Sequence, residues 1–175
     1  MRISRTIGAL CMAIGAPASG QLATRPQAVI DQIDPTATEA SDATVVQEGD
    51  GNSIHLIQSS ATNRATLSQS GTANSVDVGQ ASVPGGGNLL DAAQTGDRNF
   101  VVASQSATAG ELNMLMIQQS GTDNIADLLQ DGSGNFIALD QLGSYNSAAV
   151  SQTGNALAIF VSQYGNAAVS VAQTR

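Results

Sequence analysis

The side chains of this chain that can do chemistry are few, and most of them are amides. Histidine occurs once, at His55, and cysteine once, at Cys11. His55 falls on an outward position of the repeat described below. That repeat is expected to pair no carboxylate with it, so it reads as a solvated surface residue rather than a catalytic base. Asp77, Asp127 and Asp140 are spaced carboxylates that raise the question of calcium. The calcium-binding nonapeptide, however, requires a repeated Gly-Gly-x-Gly-x-Asp, and Gly85-Gly86-Gly87-Asn88 stands alone. Phosphate-loop and dinucleotide fingerprints are missing. No catalytic, metal-binding or cofactor-binding residue is assigned, and no cofactor is expected. What recurs instead is Gln and Asn, whose side chains each carry donors and an acceptor and can therefore be chained by hydrogen bonds.

The recurrence is regular. In Gln94 to Gln105, QTGDRNFVVASQ, a Gln is followed two residues later by Gly, five later by Asn, seven later by an apolar residue and eleven later by the next Gln. The anchoring glutamines are Gln47, Gln58, Gln69, Gln80, Gln94, Gln105, Gln119, Gln130, Gln141, Gln152, Gln163 and Gln173, with gaps of 11 broken by two of 14 and a last one of 10. Six residues before a Gln stand Asn52, Asn63, Asn74, Asn88, Asn99, Asn113, Asn124, Asn135 and Asn146. Ser41, Leu157 and Ala167 break that series at its ends. The positions two and four before every Gln are apolar.

Residues two apart share a face only in a β-strand, so Asn, apolar, apolar and Gln point inward together. A helical period would scatter the apolar pairs around the circumference. Gly49, Gly71, Gly96, Gly121, Gly132, Gly143, Gly154 and Gly165 follow the glutamines as turn residues. The fold class expected is all-β: a two-sheet β-solenoid of about six two-strand coils built from 11-residue half-repeats, rising roughly 29 Å. Buried amides are costly unless satisfied, and stacking the same amide coil upon coil satisfies it as a ladder. Alternate strands go to opposite sheets. The insertions Ser82–Gly87 and Ala107–Leu112 should then leave one edge in adjacent coils.

Composition narrows the function. Charged residues are 11% and aromatics 3%, a poor recipe for an ordinary globular core. Residues 1–18 read as a signal peptide: Arg2 and Arg5, the apolar run Ile7–Ala16, and the small-residue site Ala16-Pro17-Ala18. The form without it keeps four arginines against fourteen carboxylates, a net charge of about −10, which argues against nucleic acid as a partner. It also lacks Cys11. Residues 19–40, with Pro26 and Pro35, read as a flexible leader, or alternatively as a cap on the repeats. Residues 41–175 are the solenoid.

QEGDGNSIHLIQ, QSGTANSVDVGQ, QTGDRNFVVASQ, QSGTDNIADLLQ, QDGSGNFIALDQ and QLGSYNSAAVSQ together resemble the curlin repeat of curli subunits, over roughly Gln47 to Gln173. The resemblance implies a functional amyloid: a secreted, pilus-like or fimbrial cell-surface fibre, exported through the periplasm and outer membrane and serving cell adhesion, surface attachment and biofilm. It also implies partners, namely copies of itself, other curlin subunits, an outer-membrane secretion pore and periplasmic chaperones. Even spacing and the C-terminal end resemble the minor, nucleating subunit, whereas acidity and the absence of Lys resemble the major one. A monomeric secreted binding module is the remaining alternative.

Acidic residues run as far as Asp140, and thereafter Arg175 is the one charged side chain. Final coils that are neutral and β-prone mark a templating end. Phe100, Phe136, Phe160, Met114 and Met116 should face outward. An ice-binding face would need ranks of outward Thr, and a polysaccharide-processing solenoid a cluster of acids on a larger coil; neither pattern is present.

Overall fold

The computed structural model describes residues 10–14, 27–33, 41–60 and 62–175. In chain order the strands are β1 (Leu10–Ile14), β2 (Gln27–Ile33), β3 (Asp42–Asp50), β4 (Ser53–Ser59), β5 (Asn63–Thr72), β6 (Ser75–Ser82) and β7 (Asn88–Asp97). They continue as β8 (Phe100–Ala107), β9 (Asn113–Thr122), β10 (Ile125–Ser133), β11 (Phe136–Ser144), β12 (Ser147–Asn155), β13 (Ala158–Tyr164) and β14 (Ala168–Thr174). Odd-numbered strands form one parallel sheet in the order β1-β3-β5-β7-β9-β11-β13, and even-numbered strands form the other, from β2 to β14. The chain is an all-β, two-sheet β-solenoid, with six coils running from β3 to β14.

Register follows from the repeat. Each strand pairs in parallel with the strand one coil away, Gln on Gln, as in Gln94↔Gln119 and Gln105↔Gln130. A one-residue slip would turn the whole apolar set to solvent, so the alternation fixes the pairing. Between the sheets lie the inward pairs, for example Leu115 and Ile117 from β9 against Ala126 and Leu128 from β10, all buried. A fully buried Leu or Ile contributes about 1.5–3 kcal/mol. The core thins at the C-terminal end, where Val161, Val169 and Val171 are only partly buried because no further coil covers them.

Both insertions leave the same edge in adjacent coils, as the two-strand coil requires. Their loops stack: Val83 N donates to Ala107 O at 3.0 Å and Gly110 N to Gly85 O at 3.0 Å.

One segment differs from its sequence reading. Within the expected flexible leader, Gln27–Ile33 forms β2, in register with β4: Ala28↔Ile54, Ile30↔Leu56 and Gln32↔Gln58. The reason is local. Ala28-x-Ile30-x-Gln32 has the apolar-x-apolar-x-Gln spacing of a rung without the Asn and Gly that flagged the others. The remainder of that leader, residues 19–26 and 34–40, lies outside the described residues. So does most of the expected signal segment; its residues 10–14 form β1, paired with β3.

Candidate functional site: the amide ladders and the exposed end

Most of the glutamines make two kinds of bond with one amino group. Along the axis, Gln47 Nε2 donates to Gln69 Oε1 (2.8 Å), and the column continues through Gln94, Gln119 and Gln141 to Gln163. In the other sheet the column runs Gln58, Gln80, Gln105, Gln130, Gln152 and Gln173, at 2.8–3.1 Å. The second proton crosses the core: Gln119 Nε2 donates to Phe100 O and Gln141 Nε2 to Ile125 O. The glutamines therefore tie coil to coil and sheet to sheet.

The asparagines form the opposite edge of each strand and run the other way. Asn74, Asn99, Asn124 and Asn146 each donate from Nδ2 to Oδ1 of the asparagine one coil nearer the N-terminus, beginning at Asn52. In the second column Asn88 donates to Asn63 and Asn113 to Asn88 (2.9 and 3.3 Å), while Asn135 reaches Asn113 Oδ1 through its backbone N–H. The same side chains close the turns: Asn52 Nδ2 donates to Glu48 O and Gly71 O, and Asn99 Nδ2 to Thr95 O and Gly121 O. All nine asparagines are buried. With the Gln ladders pointing toward the C-terminus and the Asn ladders toward the N-terminus, the two ends of the stack are chemically different.

Gly49, Gly71, Gly96, Gly121, Gly143 and Gly165 lie in the arcs leading from the first sheet to the second, and Gly132 and Gly154 in the return arcs. At Gly96 the requirement is twofold: φ is +106°, and an added Cβ would overlap the carbonyl of Gly121 one coil on. Gly165 has open space around it, being in the last coil. A second left-handed residue stands just before each asparagine of the first arc: Gly51, Ala73, Arg98, Asp123 and Tyr145, with φ of +53° to +66°. Sequence reasoning missed these, because most are not glycine and side-chain type carries no trace of them.

The ends of the ladders are where groups go unpaired. Gln47 Oε1 is buried with no hydrogen-bond partner, since β1 places Ile14 rather than a glutamine at its register position. At the other end Gln163 has no glutamine beyond it and donates to Ser147 O and Ala167 O, both at 2.9 Å. Gln173 makes only a long bond onward, to Ala158 O at 3.4 Å. Among the described residues no strand pairs with the outer edges of β13 and β14.

The outer faces carry little that could do catalysis. His55 is not without a carboxylate: stacking sets it opposite Asp77, and Nδ1 lies 3.0 Å from Asp77 Oδ1. The expectation of an unpaired histidine overlooked that 22 residues is one coil, but a single exposed pair assembles no active site. Arg98 and Asp123 form a two-point pair (2.8 Å each), which raises the guanidinium pKa and lowers the carboxyl pKa, chiefly through their shared hydrogen bonds. Among the described residues no three His, Cys, Asp or Glu side chains gather as a metal site. Met116, Ala138 and Phe160, with Asp91 and Asp140, line a shallow groove of about 420 Å³ on the outer face of the first sheet. Phe160 also meets Phe136, with ring centroids 5.1 Å apart.

A parallel two-sheet solenoid held by buried amide ladders is a repeat protein, in which each coil packs on its neighbours. Two overlapping stretches, residues 110–143 and 134–165, match the family model described as the curlin associated repeat, so these coils carry curlin repeats. No curated protein and no solved structure matches the chain.

Proposed function

We propose that this chain is a structural, non-enzymatic subunit of an extracellular curli-like amyloid fibre and that it polymerises by end-to-end stacking of its coils. The observation that carries this reading is the C-terminal end. There β13 and β14 present open strand edges, part-exposed Val161, Val169 and Val171, and two Gln columns whose next rung is missing. Soluble β-proteins blunt such edges with charge, Pro or a covering element. Here the last acidic side chain is Asp140, so repulsion between approaching ends is weak.

Residues 1–18 act as the export signal, and the route runs through the periplasm and an outer-membrane pore, with chaperones holding the chain unfolded on the way. On the cell surface the fibres serve adhesion, attachment and biofilm matrix. A minor, nucleating subunit is the second form of the same reading, favoured by the even coil spacing; the lack of basic residues in the last repeats favours the major subunit.

Purified chain lacking residues 1–18 should form thioflavin-positive fibres at micromolar concentration. A chain that stays monomeric and thioflavin-negative for days contradicts the reading. Truncation after Gln152 should lengthen the polymerisation lag more than removal of the first coil, and equal lags would deny the C-terminal end a special role. Deleting the chain from its host separates the two forms. Loss of all fibre mass marks a major subunit; secreted but unattached subunits mark a nucleator.

A further inference from the structure

The two sheets end differently at the N-terminal side once residues 1–18 are gone. β1 leaves with them, so the first sheet keeps six strands, β3 to β13, while the second keeps seven, β2 to β14. A continuous head-to-tail stack must add equal numbers of strands to both sheets. Chain order makes the conflict specific. After β13 in the first sheet and β14 in the second, the next copy continues with its own β3 and β4. Its β2 would then stand at the level of β14, in the same sheet, on the same edge of β4.

The two competitors are chemically alike. β2 sets Ala28, Ile30 and Gln32 against Ile54, Leu56 and Gln58. β14 sets Val169, Val171 and Gln173 against Ala148, Val150 and Gln152 in the same register. β2 is the weaker of the two. Ala28 and Ile30 are only partly buried, Asp31 is exposed on the strand, and Pro26 and Pro35 bracket it in place of the Asn-Gly arcs. Proline cannot donate to a ladder and so stops one. The ladder direction favours exchange as well. Gln152 Nε2 donates to Gln173 Oε1 at 3.0 Å, and Gln173, held only by a 3.4 Å bond to Ala158 O, would continue the column by donating to the next copy's Gln58. On stacking, Gln163 would exchange its bond to Ala167 O for one to Gln47 Oε1, the buried acceptor that has no partner.

We propose that β2 is a displaceable surrogate for the β14 of a second copy, covering the β4 edge until that strand replaces it. This rests on the stacking reading above and on removal of residues 1–18. It makes addition a two-stage event: β13 of one copy pairs first with the uncovered β3 edge of the next, and β14 then exchanges for β2. A chain that keeps residues 1–18 has both edges covered, by β1 and β2, and should be blocked at this end.

Val29 and His55 are in-register neighbours on the outer face, and adjacent strands hold Cα atoms within disulfide range. In the form lacking residues 1–18, the double variant Val29→Cys with His55→Cys should oxidise in the monomer. The oxidised chain should stall when added to wild-type seeds, and reductant should restore growth. Deletion of residues 27–33 should shorten the lag severalfold. Oxidised chain that elongates as fast as reduced chain overturns the proposal. So does failure of the two cysteines to join, or a deletion that leaves the lag unchanged. If the unsubstituted chain forms no fibres at all, the stacking reading falls with it; if it forms them and the tether makes no difference, only the surrogate strand is lost.

Discussion

Gln141 donates its amide proton to Oε1 of Gln163 at 2.8 Å, and Gln163 turns its own amide back onto the carbonyl of Ala167 at 2.9 Å. Every earlier glutamine of that column spends this proton on the next coil. The last one closes it locally, since β13 is the last strand of its sheet among the described residues. A group satisfied this way can exchange its partner at little enthalpic cost, which suits an end that must accept a second copy.

Ladder position should set the cost of losing a glutamine. Gln119→Ala removes the link to Gln141, the bond across to Phe100, and the acceptor for Gln94. Leaving buried amide groups unpaired should cost about 2–4 kcal/mol in guanidinium unfolding of the soluble chain. Gln173→Ala, at the half-exposed end, should stay within about 1 kcal/mol.

Glycine substitutions should separate the arcs from the faces. Gly121→Ala meets both a φ of +124° and the carbonyl of Gly143, and should lose about 3 kcal/mol or more. Gly79 lies in β6 with nothing within 4 Å of an added Cβ, so Gly79→Ala should gain about 0.5–1 kcal/mol. Thermal melts of the two variants, side by side, check the contrast.

The left-handed residue before each asparagine carries strain that glycine would relieve. Ala73 has a φ of +56°. Ala73→Gly should therefore be neutral or stabilising by up to about 1 kcal/mol, whereas Ala→Gly inside a strand costs a comparable amount. Denaturant midpoints at equal slope measure it.

The Arg98–Asp123 pair should show in acid. The hydrogen bonds from Arg98 lower the Asp123 pKa in the folded chain. A lowered carboxyl stabilises fully above its unfolded value, near 3.9, and the contribution fades as pH falls through the lower folded value. Stability measured against pH should therefore differ between wild type and Asp123→Asn at neutral pH and converge below about pH 4. The pair is open to solvent, so the difference should be small and should shrink further in salt.

Much of this architecture is legible in the sequence because the repeat is written twice, once in apolar spacing and once in amides. The two-residue alternation of Leu115 and Ile117, set between Asn113 and Gln119, has a single strand reading, and even spacing leaves few ways to stack it. The direction of each amide chain is not legible. It depends on which carbonyls the second proton of Gln119 or Asn99 can reach, and only folded arcs decide that. β2 escaped notice because Pro26 and Asp34 stand where a rung would carry Asn and Gly, although Ala28, Ile30 and Gln32 keep the inward spacing. The pairs His55–Asp77 and Arg98–Asp123 lie 22 and 25 residues apart, one coil in each case. The first follows from the plain 22-residue coil, whereas the second spans an insertion and becomes visible only once that insertion has been assigned to its coil.

Electron cryo-microscopy of fibres grown from the form lacking residues 1–18 tests the central claim most directly. The account predicts that each copy adds six coils, an axial repeat of roughly 29 Å, with β13 of one copy paired to β3 of the next and Gln163 facing Gln47. A fibre in which every copy contributes a single layer, repeating at about 4.8 Å with identical residues stacked on themselves, would contradict it.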